Sequence, residues 1–166
     1  KSVPLALPVL TFRTSSSRTG TGRASGTLAI KLQNVESHPV KQPRALYIHV
    51  PFCAHRCGYC DFTLVAGKDH LADRYLDALS LEIDRELQSA GSDDFATQSK
   101  PEIDTIFFGG GTPTQLSAAQ LERLCAIVHD RFQLNPATEF SVEANPARMT
   151  DDRIAVLADA GVNRIS

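Results

Sequence analysis

Residues 45–62, "ALYIHVPFCAHRCGYCDF", join two unlike pieces. The first six residues, 45–50, are a β-branched and apolar run closed by Pro51, the pattern of a buried strand. Cys53, Cys57 and Cys60 follow at once, spaced C-x3-C-x2-C, with no fourth cysteine nearby. A strand that runs straight into a ligand-rich loop suits a parallel α/β sheet, whose sites gather at the carboxyl ends of the strands.

The pattern outward from this stretch supports that architecture. Leu71, Tyr75, Leu79, Ile83 and Leu87 recur every four residues, Leu76 widens the stripe and Gly91 is a stop, which predicts a helix over about 70–89. Residues 91–101 read as a polar loop, and "IDTIFF" (103–108) as the second strand. Ser117 with Gln120 forms a capping box before a helix whose buried stripe is Leu121, Leu124, Cys125, Val128 and Phe132. "TEFSVEA" (138–144) is a third strand. Thr150, Asp151 and Asp152 open a third helix that Gly161 ends, and "VNRIS" (162–166) begins a fourth strand.

Alternating strands and helices imply a parallel sheet with right-handed crossovers. About three and a half βα units are present, the N-terminal portion of a barrel or partial barrel. The unfinished fourth strand would expose a raw edge, so further chain is expected beyond it.

Charge divides the chain in two. Residues 1–43 carry six basic residues against Glu36 alone and are rich in Ser and Thr, which reads as a disordered basic leader. It also resembles an organellar transit peptide, although no apolar stripe accompanies its arginines. Residues 44–166, the core domain, carry eleven basic and eighteen acidic residues, which argues against a nucleic-acid surface. No apolar run reaches the roughly 20 residues of a membrane span. Four cysteines, three of them clustered, make a poor disulfide framework, so a reducing, cytoplasmic setting and a metal fit better.

Three thiolates on one short loop fit an iron–sulfur cluster with one iron left open, a zinc site, or structural or redox cysteines. His49 and His55 are the nearby candidates for a fourth ligand, whereas Cys125 lies in a helix stripe and reads as a core thiol. The triple glycine at 109–111 matches neither a dinucleotide fingerprint nor a P-loop, and serves a tight turn or close approach by a ligand. Glu143 ends an apolar strand, where a carboxylate needs a partner: a ligand hydroxyl or amine, or a neighbouring Arg or Lys. His38, His70 and His129 read as solvated, and His49 shares a strand face with Tyr47. The cysteine loop, "GGGTP" (109–113) and "EANP" (143–146) each follow a strand, so all three are expected at one mouth of the sheet.

C-x3-C-x2-C after a first strand and "GGGTP" after a second resemble the radical S-adenosylmethionine (SAM) superfamily. The longer strings "YIHVPFCAHRCGYCDF", "IFFGGGTPTQLS" and "FSVEANPARMTDDRIAVLADAGVNRIS" resemble its HemN/HemW group over about residues 44–166. The resemblance implies a partial (β/α)6 barrel in which Cys53, Cys57 and Cys60 hold a [4Fe–4S] cluster. The open iron would take the amino and carboxylate groups of S-adenosyl-L-methionine, and family cofactor-binding positions map onto Tyr47, Tyr59, Gly110, Gly111, Thr112 and Glu143. No catalytic residue is assigned.

Within the group, coproporphyrinogen oxidases resemble C-x3-C-x2-C-x-C. Phe62 stands at that last position here, as in the haem-chaperone branch. The resemblance therefore implies haem binding and delivery to acceptor haemoproteins, or else oxygen-independent oxidation of a porphyrinogen in porphyrin biosynthesis. Either would draw on a low-potential electron donor such as a flavodoxin or ferredoxin. A zinc-stabilised binding module is the non-enzymatic alternative.

Overall fold

The computed structural model describes residues 10–12, 44–58, 63–89 and 100–166. Tyr59, Cys60, Phe62, Gly91, His38 and all of the expected leader except 10–12 lie outside that set. Five strands form the main sheet in spatial order β1 (Leu10–Phe12), β2 (Ala45–Val50), β5 (Glu102–Gly110), β6 (Gln133–Val142) and β7 (Arg164–Ile165). β2, β5, β6 and β7 run parallel, and β1 lies antiparallel on the outer edge of β2. The sequence pattern had placed no strand at β1.

The period-2 rule fixes which side of the sheet is core. Leu46, Ile48 and Val50 of β2, Ile106 and Phe108 of β5, and Phe140 and Val142 of β6 are all buried on one face. That face is covered by α1 (Ala72–Ser89), α2 (Ala118–Arg131) and α3 (Asp151–Asp159). Phe108 and Phe140 meet edge to face at 4.9 Å, the favourable arrangement for two ring quadrupoles. The alternate residues, Tyr47, His49 and Phe107, are only half-buried and face the other way.

The helices pack largely as their sequences dictate, although Leu71 falls in a 3-10 turn (Asp69–Leu71) before α1, Phe132 lies just past α2, and the Thr150 side chain makes no cap bond to α3. Tyr75, Leu76, Leu79, Ile83 and Leu87 are the buried stripe of α1, and Leu121, Leu124, Cys125 and Val128 that of α2. Ser117 and Gln120 exchange both bonds of the capping box. Arg131 clamps α2 to α1 through a two-bond pair with Asp84, at 2.7 and 3.0 Å, and a bond to Ser80. Asp151 and Asp152 place negative charge in the first turn of α3, where the helix dipole favours it.

Two strands differ from the sequence pattern. β6 begins at Gln133, five residues earlier than the apolar alternation suggested. The register with β5 shifts between Ile103 and Thr105, and the buried Thr138 hydroxyl holds the irregularity by donating to the Ile103 carbonyl at 2.8 Å. Pairing thus runs through polar residues that carry no alternation. β5 is longer too, because Gly109 and Gly110 continue the strand opposite His49 and Val50.

Candidate functional site

At Pro51 the chain leaves the main sheet and forms β3 (Phe52–Cys53), which pairs in parallel with β4 (Val65–Ala66). Pro51 accepts from the Val65 amide at 2.8 Å and Cys53 from the Gly67 amide at 3.2 Å. This two-stranded clasp closes the base of the cysteine loop at the carboxyl end of β2. Cys53 is half-exposed, Cys57 exposed, and Cys60 and Tyr59 lie outside the described residues.

The glycine motif docks directly on the clasp. The Gly111 amide donates to Val50 at 2.8 Å and the Thr112 amide to Phe52 at 2.7 Å. The Thr112 hydroxyl thereby stands 3.5 Å from the Cys53 sulfur. Gly110 has φ of +107°, and a β-carbon there would lie 2.5 Å from the His49 ring. A β-carbon on Gly111 would lie 2.7 Å from the Phe52 carbonyl oxygen. These two glycines make room for the protein's own His49 and Pro51–Phe52 backbone.

His49 is committed on both ring nitrogens. Nε2 is 2.7 Å from the Thr63 carbonyl, which can only accept, so that nitrogen carries the proton. Nδ1 is then the acceptor for the Tyr47 hydroxyl at 3.2 Å. Its backbone carbonyl accepts from the buried Tyr75 hydroxyl at 2.8 Å. His49 therefore braces the two limbs of the site instead of offering a fourth metal ligand. Tyr47 also stacks on Phe107, with ring centroids 5.9 Å apart. Burial, and then the Glu143 charge, raise the Tyr47 hydroxyl pKa, so it stays protonated.

Glu143 follows β6, its amide donating to Phe108 at 2.9 Å. Its Oε2 accepts from the Gly110 amide at 3.0 Å, a backbone partner in place of the neighbouring Arg or Lys considered from sequence. Oε1 receives no hydrogen bond among the described residues. The fully buried Thr114 accepts from the Asn145 amide at 3.0 Å and ties "EANP" to "GGGTP". The three segments thus meet at one mouth, as the strand pattern required. Thr114, Phe107 and Thr63 were missed as site residues, although alternation alone puts Phe107 on the Tyr47 face.

Cys125 lies on the far side of the sheet, 4% exposed, with burial pushing its thiol up to about 12. A thiol that resists ionisation is a poor metal ligand. His129 is partly engaged, its Nε2 bonding the Ala160 carbonyl at 3.0 Å across α2 and α3. Among the described residues no group of three His, Cys, Asp or Glu gathers as a metal site, and the third loop cysteine is not among them.

Residues 47–166 match the family model of the Radical SAM superfamily. The chain belongs to the radical SAM superfamily. Its radical SAM domain is similar to the heme chaperone HemW of Lactococcus lactis, 41% identical over 127 residues that cover 76% of this chain and 30% of that protein. The oxygen-independent coproporphyrinogen III oxidase of Escherichia coli is 37% identical over 137 residues, 81% of this chain and 28% of that one. A solved structure described as coproporphyrinogen III oxidase (HemN) from Escherichia coli, a radical SAM enzyme, superposes with a TM-score of 0.64 at 33% identity, over 76% of this chain and 27% of that chain. The chain thus spans less than a third of the length of these relatives. The mixed α/β parallel sheet matches a partial radical SAM barrel.

Radical SAM membership implies a [4Fe–4S] cluster and S-adenosylmethionine. The residues present fit that pair. Soft thiols line the mouth, the His49 imidazole is already occupied by Tyr47 and Thr63, His55 is exposed within the cysteine loop, and the remaining thiol is on the opposite face. No helix of the described residues is long and apolar enough to cross a membrane.

Proposed function

We propose that the whole protein is a HemW-like radical SAM protein that binds haem and delivers it to haemoproteins. The observation that carries this reading is Phe62, which stands where the oxidase pattern has an additional cysteine. Cys53, Cys57 and Cys60 would hold the cluster, leaving one iron for S-adenosylmethionine. Together the two cofactors supply radical chemistry begun by one electron from a low-potential donor such as a flavodoxin or ferredoxin.

The chain's own residues position and shield that pair. Tyr47, Tyr59, Gly110, Gly111, Thr112 and Glu143 are the proposed cofactor-binding residues. Glu143, fixed through Oε2 by the Gly110 amide, keeps Oε1 for a ligand amine or hydroxyl. Tyr47 and Phe107 wall the half-buried face beside it. A cytoplasmic location, or an organellar one if residues 1–43 act as a transit peptide, completes the proposal.

The full-length protein should bind haem in an absorbance titration and pass it to an apo-haemoprotein. Failure of both sinks the chaperone reading. The second reading, oxidation of coproporphyrinogen III, is favoured by the 0.64 superposition on HemN. It requires protoporphyrinogen from an anaerobic assay with S-adenosylmethionine and reductant, and a reconstituted protein that makes none counts against it. A colourless protein holding zinc and no iron would restore the binding-module alternative.

A further inference from the structure

The contact between Thr112 and Cys53 joins a proposed cofactor-binding residue directly to a proposed cluster ligand. Both backbones are pinned. Thr112 is held by its amide bond to Phe52, and Cys53 by the β3–β4 pairing and the Gly67 amide. The 3.5 Å approach of hydroxyl to sulfur is therefore built into the strand mouth. Among the described residues this sulfur is the only partner of the Thr112 hydroxyl. Thr114, two residues on, spends its hydroxyl on the Asn145 amide instead.

With a free thiol either atom could donate. A metal-bound thiolate has no proton and can only accept, so the hydroxyl must donate. A hydrogen bond to a ligand sulfur draws charge from the cluster and favours its more electron-rich, reduced state. We infer that Thr112 is a positioning residue whose hydroxyl donates to the Cys53 thiolate and raises the reduction potential of the cluster. This rests on the cluster reading above and adds a means by which the chain sets how readily its cofactor accepts an electron.

The test is a redox titration of the reconstituted full-length protein, followed by electron paramagnetic resonance without S-adenosylmethionine. Thr112→Val keeps the shape and removes the hydroxyl. It should hold as much iron and sulfide as the wild type and have a more negative midpoint. At a fixed potential the ratio of reduced to oxidised cluster should fall about three- to tenfold, the size of one net hydrogen bond. Thr112→Ser should keep the wild-type midpoint. An unchanged midpoint in Thr112→Val overturns the role of Thr112 and leaves the cluster reading intact. Should Thr112→Val hold no cluster, Thr112→Ala against Thr112→Ser makes the same comparison, and equal midpoints overturn the inference. A wild-type protein that takes up no iron overturns both.

Discussion

The two faces of β2 carry opposite chemistry on alternate residues of one strand. Leu46, Ile48 and Val50 are at most 2% exposed under the helices, whereas Tyr47 and His49 look out half-buried with their polar atoms bonded to one another. The cysteines repeat the contrast, since Cys125 is sealed in the helix layer and Cys53 stands at the mouth. The helix-side residues hold the scaffold together by burial, which is sensitive to side-chain volume and to any unpaired polar group. The mouth residues are held by specific bonds, which tolerate little change in chemistry and contribute less to stability.

That division can be broken by experiment. Phe108→Ala should be the most damaging change, because the ring is fully buried against Phe140. The expected loss is about 3–5 kcal/mol in chemical denaturation; a loss under about 1 kcal/mol would erase the distinction between the faces. Gly110→Ala comes next, since φ of +107° and the adjacent His49 ring both oppose a β-carbon. We expect a cost of about 2 kcal/mol, together with weaker S-adenosylmethionine binding.

His49→Leu should cost about 1 kcal/mol by removing the bond to the solvent-accessible Thr63 carbonyl and the acceptor of the half-buried Tyr47 hydroxyl. Faster tryptic cleavage at Arg56 in metal-free protein is the signature, and His49→Gln should recover part of the protection. A Leu variant cleaved no faster would show that the brace is dispensable. Glu143→Gln is the smallest stability change, within about 0.5 kcal/mol, because an amide oxygen still accepts from Gly110. Its S-adenosylmethionine affinity should nevertheless fall, measured by calorimetry, and an unchanged affinity would move Glu143 out of the cofactor set.

Burial explains why so much of the helix-covered side was legible. The stripes Tyr75–Leu79–Ile83–Leu87 and Leu121–Leu124–Cys125–Val128 are long enough for periodicity to declare itself, and both are buried. The convergence of three motifs at the mouth followed from strand direction alone. What escaped was short or made by backbone. β3 and β4 are two residues each, too brief for any pattern. The start of β6 rests on the Thr138 hydroxyl filling an irregularity, and the Glu143 partner is an amide that no sequence spells out. Asn163 is a further case. Its side chain accepts from Phe140 and donates to Thr138, completing pairing beside β7 that a strand would otherwise supply.

The β3–β4 clasp carries one more consequence. In a zinc finger the metal draws distant ligands together, so removing it unfolds the peptide. Here both stems of the ligand loop are already joined at Phe52–Val65 and Cys53–Ala66. The entropy of bringing them together is met by this strand pairing. With the proposed cluster in that loop, loading and folding should be uncoupled: anaerobic chelation should bleach the protein while its far-ultraviolet circular dichroism stays unchanged, and the same scaffold should accept a cluster again. Oxygen damage to the proposed cofactor would then be a repairable event for the chain and not its end.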